Sequence, residues 1–212
     1  LILYCTRHGE SDYNVQGRLQ GQSDLPALSP LGRRQSGAAA AALAGLPVEV
    51  VYASPLRRAL ETAEIIARAL GLEIRTDPRL MEIHVGIFQD QLRCDLEKCH
   101  GEALRQWLSG DPDFVIPGGE SRRQLARRGR EAFQAIWRAG HRQAVVVAHG
   151  GLLVSTIKSL LRIPLQDPPL ALENCSITTL SGSDGGHVEL VGFNQVDHLA
   201  GVGRGGIGDL AV

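Results

Sequence analysis

Leu1-Ile2-Leu3-Tyr4-Cys5-Thr6-Arg7-His8-Gly9-Glu10-Ser11 opens the chain with a short apolar run that breaks on an arginine, a histidine and a glycine. A run of that length with turn chemistry behind it predicts a buried strand over residues 1–6. The pattern returns far downstream, where Ala144-Val145-Val146-Val147-Ala148 ends on His149-Gly150-Gly151. Parallel strands of an open α/β sheet deliver their C-terminal ends to one edge, and ligands bind at that edge. The two imidazoles are therefore expected to meet.

The stretches between carry the rest of the architecture. Ser29-Pro30 supplies a capping hydroxyl and a first-turn proline, and Gly45-Leu46-Pro47 a stop, so a helix is expected between them. Residues 48–53 read as a second strand. Ser54-Pro55 then repeats the cap before Leu56, Ala59, Leu60, Ala63, Ile66, Ala67 and Leu70, which keep helical spacing until Gly71. Residues 72–76 give a third strand, and the β-α-β-α-β alternation predicts an α/β sheet with helical crossovers. Residues 84–120 break the rhythm with a polar, mostly helical stretch, expected as an insertion capping the sheet edge. Ser121 is expected to cap a helix to about residue 139, followed by a strand at 145–148 and a helix at 152–161. Residues 176–180 and 187–193 should form a hairpin around Ser183-Asp184-Gly185-Gly186. The glycine-rich residues 201–212 are expected to be a mobile tail. A single domain, 1–212, with one insertion accounts for the length of 212 residues.

Composition narrows the partners. A net charge of −1 argues against a general polyanion binder, because nucleic acid is held chiefly by phosphate neutralisation. No apolar run approaches the roughly 18 residues of a membrane span. Of 22 basic residues only Lys98 and Lys158 are lysine, a bias that suits planar phosphate recognition and equally codon usage. Cys94, Cys99 and His100 lack a paired zinc spacing, so no metal is expected. No signal-peptide pattern precedes the first strand, and cytoplasm is the expected location.

Several residues carry chemistry. Gly9 after His8 would let backbone approach a ligand closely. A neutral, oriented histidine can attack phosphorus, and a neighbouring guanidinium offers paired donors to phosphate oxygens. Arg57 and Arg58 fall in the first turn of a helix, where positive charge opposes the dipole unless an anion is bound. His149-Gly150-Gly151 offers a second imidazole with helix-start amides open to an anion. Glu82, flanked by Met81 and Ile83, sits where apolar surroundings could keep a carboxyl protonated for donation to a leaving oxygen.

Taken together, these blocks resemble the histidine phosphatase superfamily, the group that includes phosphoglycerate mutase and fructose-2,6-bisphosphatase. Arg7-His8-Gly9-Glu10-Ser11 with Asn14, Arg18, Gln20-Gly21 and Asp24 is similar to its opening block. Ser54-Pro55-Leu56-Arg57-Arg58-Ala59 with Thr62-Ala63 is similar to its second arginine block, and Val147-Ala148-His149-Gly150-Gly151 to its third. Pro117-Gly118-Gly119-Glu120-Ser121 resembles the segment before that block, and Asn194 and His198-Leu199 the closing pattern. The resemblance implies a three-layer α/β/α sandwich with a mostly parallel central sheet, phosphoglycerate mutase-like, and a helical insertion over the active site. It implies that His8 accepts the phosphoryl group while Arg7, Arg58 and His149 surround the transferring oxygens. Asn14, Gln20, Gly21 and the Gly150 amide would bind substrate, and Glu82 would protonate the leaving alkoxide and then activate water. Neither metal nor other cofactor is implied.

One segment departs from the family pattern. Many members carry a Trp-Glu-Gly-like stretch after the glycine that follows the glutamate, where this chain has Gly86-Ile87-Phe88-Gln89-Asp90. Gln20-Gly21 before Asp24 and the short insertion resemble the phosphatase branch, so the expected activity is hydrolysis of a small phosphorylated metabolite. Cofactor-dependent phosphoglycerate mutation is the alternative, and a phosphate-binding regulatory module with little turnover the third reading. A homodimer is left open. Phe88, Trp107 and Phe114 read as a small core within the insertion, and Arg122, Arg123, Arg127 and Arg128 as a solvated helix face.

Overall fold

The computed structural model describes residues 1–167 and 170–204. Its elements run β1 (Ile2–Arg7), α1 (Asp12–Gln16), α2 (Pro30–Leu43), β2 (Val50–Ala53), α3 (Arg57–Leu70), β3 (Ile74–Thr76), α4 (Leu96–Leu108), α5 (Arg122–Arg138), β4 (Gln143–Ala148), α6 (Gly150–Leu161), β5 (Ile177–Ser181) and β6 (Glu189–Gln195). One six-stranded sheet has the order β3-β2-β4-β1-β5-β6. The first four strands in that order are parallel, while β5 runs antiparallel to β1 and β6 to β5. The expected terminal hairpin is therefore present, and the sheet is mixed. Of the expected tail, residues 205–212 lie outside the described residues.

Period-two alternation builds the layers. Val50 and Tyr52 of β2, with Ala144, Val146 and Ala148 of β4, face the core shared with Leu125, Phe133, Leu152 and Ile157 of α5 and α6. The alternate residues Val51, Ala53, Val145 and Val147 face Ala39, Leu43, Ala63 and Ile66 of α2 and α3. Successive strand side chains point to opposite faces, so an unbroken apolar strand has to be covered on both sides. Alanine predominates on the α2 and α3 side, which lets those helices lie close to the sheet.

Most helix boundaries follow the caps read from sequence. Ser29 accepts from Gly32 N ahead of α2, and Ser121 and Gln124 form a reciprocal capping box at α5. Ser54-Pro55 is the exception. Helix α3 starts at Arg57 and its N-cap is Leu56, whose side chain cannot cap it; Asp24 Oδ1 accepts from Arg57 N at 2.7 Å instead. Helix α6 begins at Gly150, two residues earlier than its apolar spacing indicated. Residues 84–120 fold as 3-10 turns at Gly86–Phe88 and Arg93–Asp95 followed by α4. Phe88 and Trp107 are buried and join the core beneath the sheet, with Phe114 packed against it. Among the described residues no helix is long and apolar enough to cross a membrane.

Candidate active site

The sheet register brings the two histidines together. Arg7 pairs with Ala148 across the parallel β1 and β4, so His8 and His149 leave the sheet side by side with ring centroids 5.2 Å apart. Both are fully buried. The His8 Nδ1 lies 2.7 Å from Gly9 O, a contact that assigns the proton to Nδ1 and leaves the lone pair on Nε2. Arg58, the second residue of α3, places Nε 3.3 Å from that Nε2. Its other two nitrogens donate to Ser23 O at 3.0 Å and Gly21 O at 2.8 Å. Arg57 points away and pairs with Glu61 at 2.9 Å.

Electrostatics keeps both imidazoles neutral. Burial holds His8 well below the ordinary histidine value, with the charges of Arg58 and then Arg7 acting in the same sense. His149 is lowered likewise, by burial first and then by Arg58, His8, Arg128 and Arg7. The positive charge of the site therefore comes from the arginines. Ser54 Oγ accepts from Leu56 N and lies 2.8 Å from His149 Nε2, and we assign its hydroxyl hydrogen to that nitrogen. That assignment leaves His149 Nδ1 as an N–H donor, and it is buried with no partner among the described residues. The buried Gln20 Nε2 is in the same position. Unsatisfied buried donors beside guanidinium groups suit an oxyanion.

Asn14 and Gln20 meet through Ser11. The Ser11 hydroxyl lies 3.0 Å from Asn14 Oδ1 and 2.7 Å from Gln20 Oε1, and Ser11 and Asn14 close a capping box on the five-residue α1. Gly21 has a φ of 47° and reaches the site through its carbonyl on Arg58. Gly150 lies against Arg7, whose Nε is 3.5 Å from where a Cβ would stand.

Gly9 has a packing role of its own. A Cβ there would stand 2.5 Å from Gly32 O, so the missing side chain makes room for the first turn of α2. The backbone turn at His8 is braced further by Gly9 N donating to Thr62 Oγ1 at 3.0 Å and by Asn174 Nδ2 donating to His8 O at 2.8 Å. Arg7 donates to Leu172 O at 2.7 Å, and Asn194 Oδ1 and His198 anchor the same segment at Glu173 N and Cys175 O.

Glu82 also departs from expectation. Its carboxylate is buried, yet it accepts from Ile83 N at 2.9 Å, Gly151 N at 3.0 Å and Leu152 N at 2.9 Å. Two of the helix-start amides expected to await an anion are thus taken by this side chain, and its surroundings are polar amides instead of an apolar pocket. Glu82 is thereby fixed within three residues of His149 along α6.

The remaining expectations sort by burial. In the departing segment Phe88 is core, Gln89 Oε1 accepts from Gln22 N at 3.2 Å, and Asp90 takes a φ of 64° while its carbonyl accepts from Arg18. That segment supports residues 18–22. His84 is half-buried, with Nδ1 accepting from Gly86 N. Arg122 and Arg128 do not belong to a solvated face. Arg122 stacks 3.8 Å from the Trp107 ring centroid and donates to Trp107 O, whereas Arg128 pairs with Glu120. Ser54, Asn174, Glu120 and Arg128 were not assigned to the site from sequence, although Ser54 and Glu120 fall in the blocks 54–59 and 117–121 that carry the resemblance. Among the described residues no group of three or more His, Cys, Asp or Glu side chains could hold a metal ion.

The family model described as histidine phosphatase superfamily (branch 1) matches residues 3–195. The chain is 37% identical over 191 residues to glucosyl-3-phosphoglycerate phosphatase of Mycobacterium tuberculosis, covering 85% of each. It is 36% identical over 180 residues to a probable phosphoglycerate mutase of Serratia proteamaculans, covering 84% of this chain and 83% of the other. The solved structure of mycobacterial glucosyl-3-phosphoglycerate phosphatase superposes with a TM-score of 0.83 at 33% identity, over 92% of this chain and 98% of that one.

Proposed function

Since the chain belongs to the histidine phosphatase superfamily, branch 1, we propose that it hydrolyses a small phosphomonoester without a metal, through a phosphohistidine on His8. The observation that carries this reading is the neutral, oriented His8, with Nδ1 committed to Gly9 O and Nε2 beside Arg58. Phosphoryl transfer needs an in-line nucleophile and positive charge on the equatorial oxygens more than it needs covalent assistance. Arg7 and Arg58 supply the charge, and His149 Nδ1 and Gln20 Nε2 supply donors. The His8 Nε2 lone pair forms the N–P bond as the P–O bond to the leaving group breaks. Glu82 gives that oxygen its proton as a general acid and is left as the carboxylate that the Ile83, Gly151 and Leu152 amides hold. Water then attacks phosphorus, Glu82 recovers the proton, and the N–P bond breaks to release inorganic phosphate and neutral His8.

Glucosyl-3-phosphoglycerate phosphatase as a relative over 85% of each chain favours a phosphorylated small metabolite as substrate. Phosphoglycerate mutation is the second reading, favoured by the similarity to the Serratia protein. The protein is assayed with a panel of small phosphomonoesters and, separately, with 3-phosphoglycerate and its bisphosphate primer. Release of inorganic phosphate and acid-labile label on the protein, lost in His8→Ala, are expected. Rapid isomerisation with little free phosphate would sink the phosphatase reading, and a label that never turns over would point to a binding module.

A further inference from the structure

We propose that the Arg128–Glu120 ion pair positions Glu82 for proton transfer to the leaving oxygen, as a clamp on the backbone that carries this carboxyl. The inference rests on Glu82 handling the proton as described above. Neither residue touches the reacting atoms. Arg128 lies on α5 and makes a fork of contacts: Nε and one terminal nitrogen reach both carboxylate oxygens of Glu120 at 3.1 and 2.6 Å. The same guanidinium donates to Arg79 O at 2.9 Å, Met81 O at 2.5 Å and Glu82 O at 2.8 Å. One side chain therefore fixes three carbonyls within four consecutive residues, and the last belongs to Glu82 itself. Such a set uses the planar, multi-donor geometry that a lysine ammonium lacks.

Glu120 closes the clamp from the other side. Its Oε1 accepts from His84 N at 2.9 Å, and its own N–H donates to His84 O at 2.9 Å. The two chain segments cross where no side chain would fit: a Cβ at Gly119 would stand 2.2 Å from His84 O, and one at Gly86 2.1 Å from Pro117 O. Gln22 Nε2 adds a second donor to Glu82 O at 3.0 Å. With its backbone held at residues 79, 81, 82 and 84, Glu82 has its side chain delivered to the Gly151 and Leu152 amides.

The frame of the clamp is continuous with its target. Gly129, next to Arg128, faces Thr156 of α6 so closely that a Cβ would stand 2.0 Å from Thr156 Oγ1. Helix α5 thus holds Arg128 in a fixed relation to α6, whose first turn receives the Glu82 carboxylate. With 19% and 15% of their side chains exposed, Arg128 and Glu120 are shielded enough for the pair to hold its geometry. The Arg128 charge also reaches His149, where it contributes to keeping the imidazole neutral.

A positioning role differs from a structural one in its dependence on the leaving group. An aryl phosphate expels a stable phenolate and needs little proton donation, whereas an alkyl phosphate needs it fully. kcat/KM for p-nitrophenyl phosphate and for a simple alkyl phosphate is measured in the full chain and in Arg128→Ala, Arg128→Lys, Glu120→Gln and Glu82→Gln. The value reports steps up to leaving-group departure, so slow dephosphorylation does not mask the effect. In Arg128→Ala the alkyl value is expected to fall about 10²-fold, the size of a lost acid-base contribution, and the aryl value by less than about threefold. Arg128→Lys and Glu120→Gln should show the same selectivity at smaller amplitude. They also carry the test should Arg128→Ala fail to fold by circular dichroism. Equal losses on both substrates, or undiminished alkyl phosphate hydrolysis in the folded variants, overturn the proposal. If Glu82→Gln is selective while the Arg128 and Glu120 variants are not, the clamp alone fails. If Glu82→Gln is unselective, the proton-donor reading fails and takes the clamp with it.

Discussion

The two halves of the site are built in different ways. His8 and His149 sit one residue beyond a pair of hydrogen-bonded parallel strands, and the register of β1 and β4 places them side by side. Glu82 sits in a segment outside the regular strands and helices and is held by hydrogen bonds to residues 46 to 70 positions away, among them Glu82 O to Arg128 and the carboxylate to Leu152. The half proposed to bind the phosphoryl group thus takes its precision from the sheet, and the half proposed to handle the proton from a network. Removing a strand-end side chain should erase chemistry and leave the frame standing. Loosening the network should change which substrates react.

The largest effect expected is that of His8→Ala. Loss of a nucleophile typically removes nearly all catalysis beyond that of binding alone, so turnover should fall by at least about 10⁴-fold with no acid-labile phosphate formed. Thermal denaturation should remain cooperative, because strand pairing does not depend on the imidazole. Retained turnover above a hundredth of the parent value would break the contrast between the two halves. Arg58→Ala should follow, at about 10²- to 10³-fold in kcat/KM, the usual cost of removing one donor aimed at developing charge. Because Arg58 also donates to Gly21 O and Ser23 O, its loss frees the residue 21–23 turn. A crystal structure of the variant would show whether that turn shifts, and an unaltered rate would remove Arg58 from the pocket.

The sequence made the sheet half legible and left the network half obscure for a physical reason. A buried strand ending in Arg-His-Gly is a local signal, and two such ends in a parallel sheet converge by topology. Arg58 was set apart from Arg57 only by the family resemblance, since both lie at the same helix start. Arg128 was not legible. On its helix it is one of several arginines, and only the tertiary placement of residues 79–82 and of Glu120 against α5 brings three carbonyls and a carboxylate to it. Glu82 was found, but with the wrong surroundings: its neighbours Met81 and Ile83 are apolar, while its carboxylate meets amides contributed by α6. The packing role of Gly9 was hidden in the same way, because the atom its missing Cβ would strike belongs to Gly32 on α2.

A pH series sharpens the comparison at smaller amplitude. Both histidines resist protonation in the folded chain, chiefly through burial, whereas the unfolded chain takes up those protons near the ordinary histidine value of about 6.5. Below that pH the unfolded state binds more protons than the folded state, so stability falls with pH until the folded values are reached. Stability should be fully present above pH 6.5 and decline by up to about 1.4 kcal/mol per histidine for each unit below it. His8→Asn and His149→Asn should each flatten the decline in melting temperature, and an unchanged slope in both would show that the histidines are not its source. The acid limb of kcat/KM should likewise fall well below pH 6.5, since His8 stays nucleophilic while neutral.

The smallest effect separates two adjacent arginines. Arg57 and Arg58 open the same helix, which has no acidic first-turn residue, and by position alone either could face the phosphate. Arg57 makes an i,i+4 pair with Glu61 at 2.9 Å, and its side chain is 53% exposed. Exposed pairs of this kind contribute about 0.2–1 kcal/mol, and removing Arg57 also removes a positive charge from the unfavourable end of the helix dipole. The two effects oppose, so Arg57→Ala should change stability by less than about 0.5 kcal/mol in chemical denaturation. Its backbone N–H to Asp24 Oδ1 at 2.7 Å survives the substitution, which keeps the residue 21–24 turn and therefore Arg58 in place. kcat/KM should consequently stay within about threefold of the parent. A loss approaching that of Arg58→Ala would mean that Arg57 swings inward when substrate binds, and that the boundary between site and surface at the start of α3 is set by the ligand instead of by the fold.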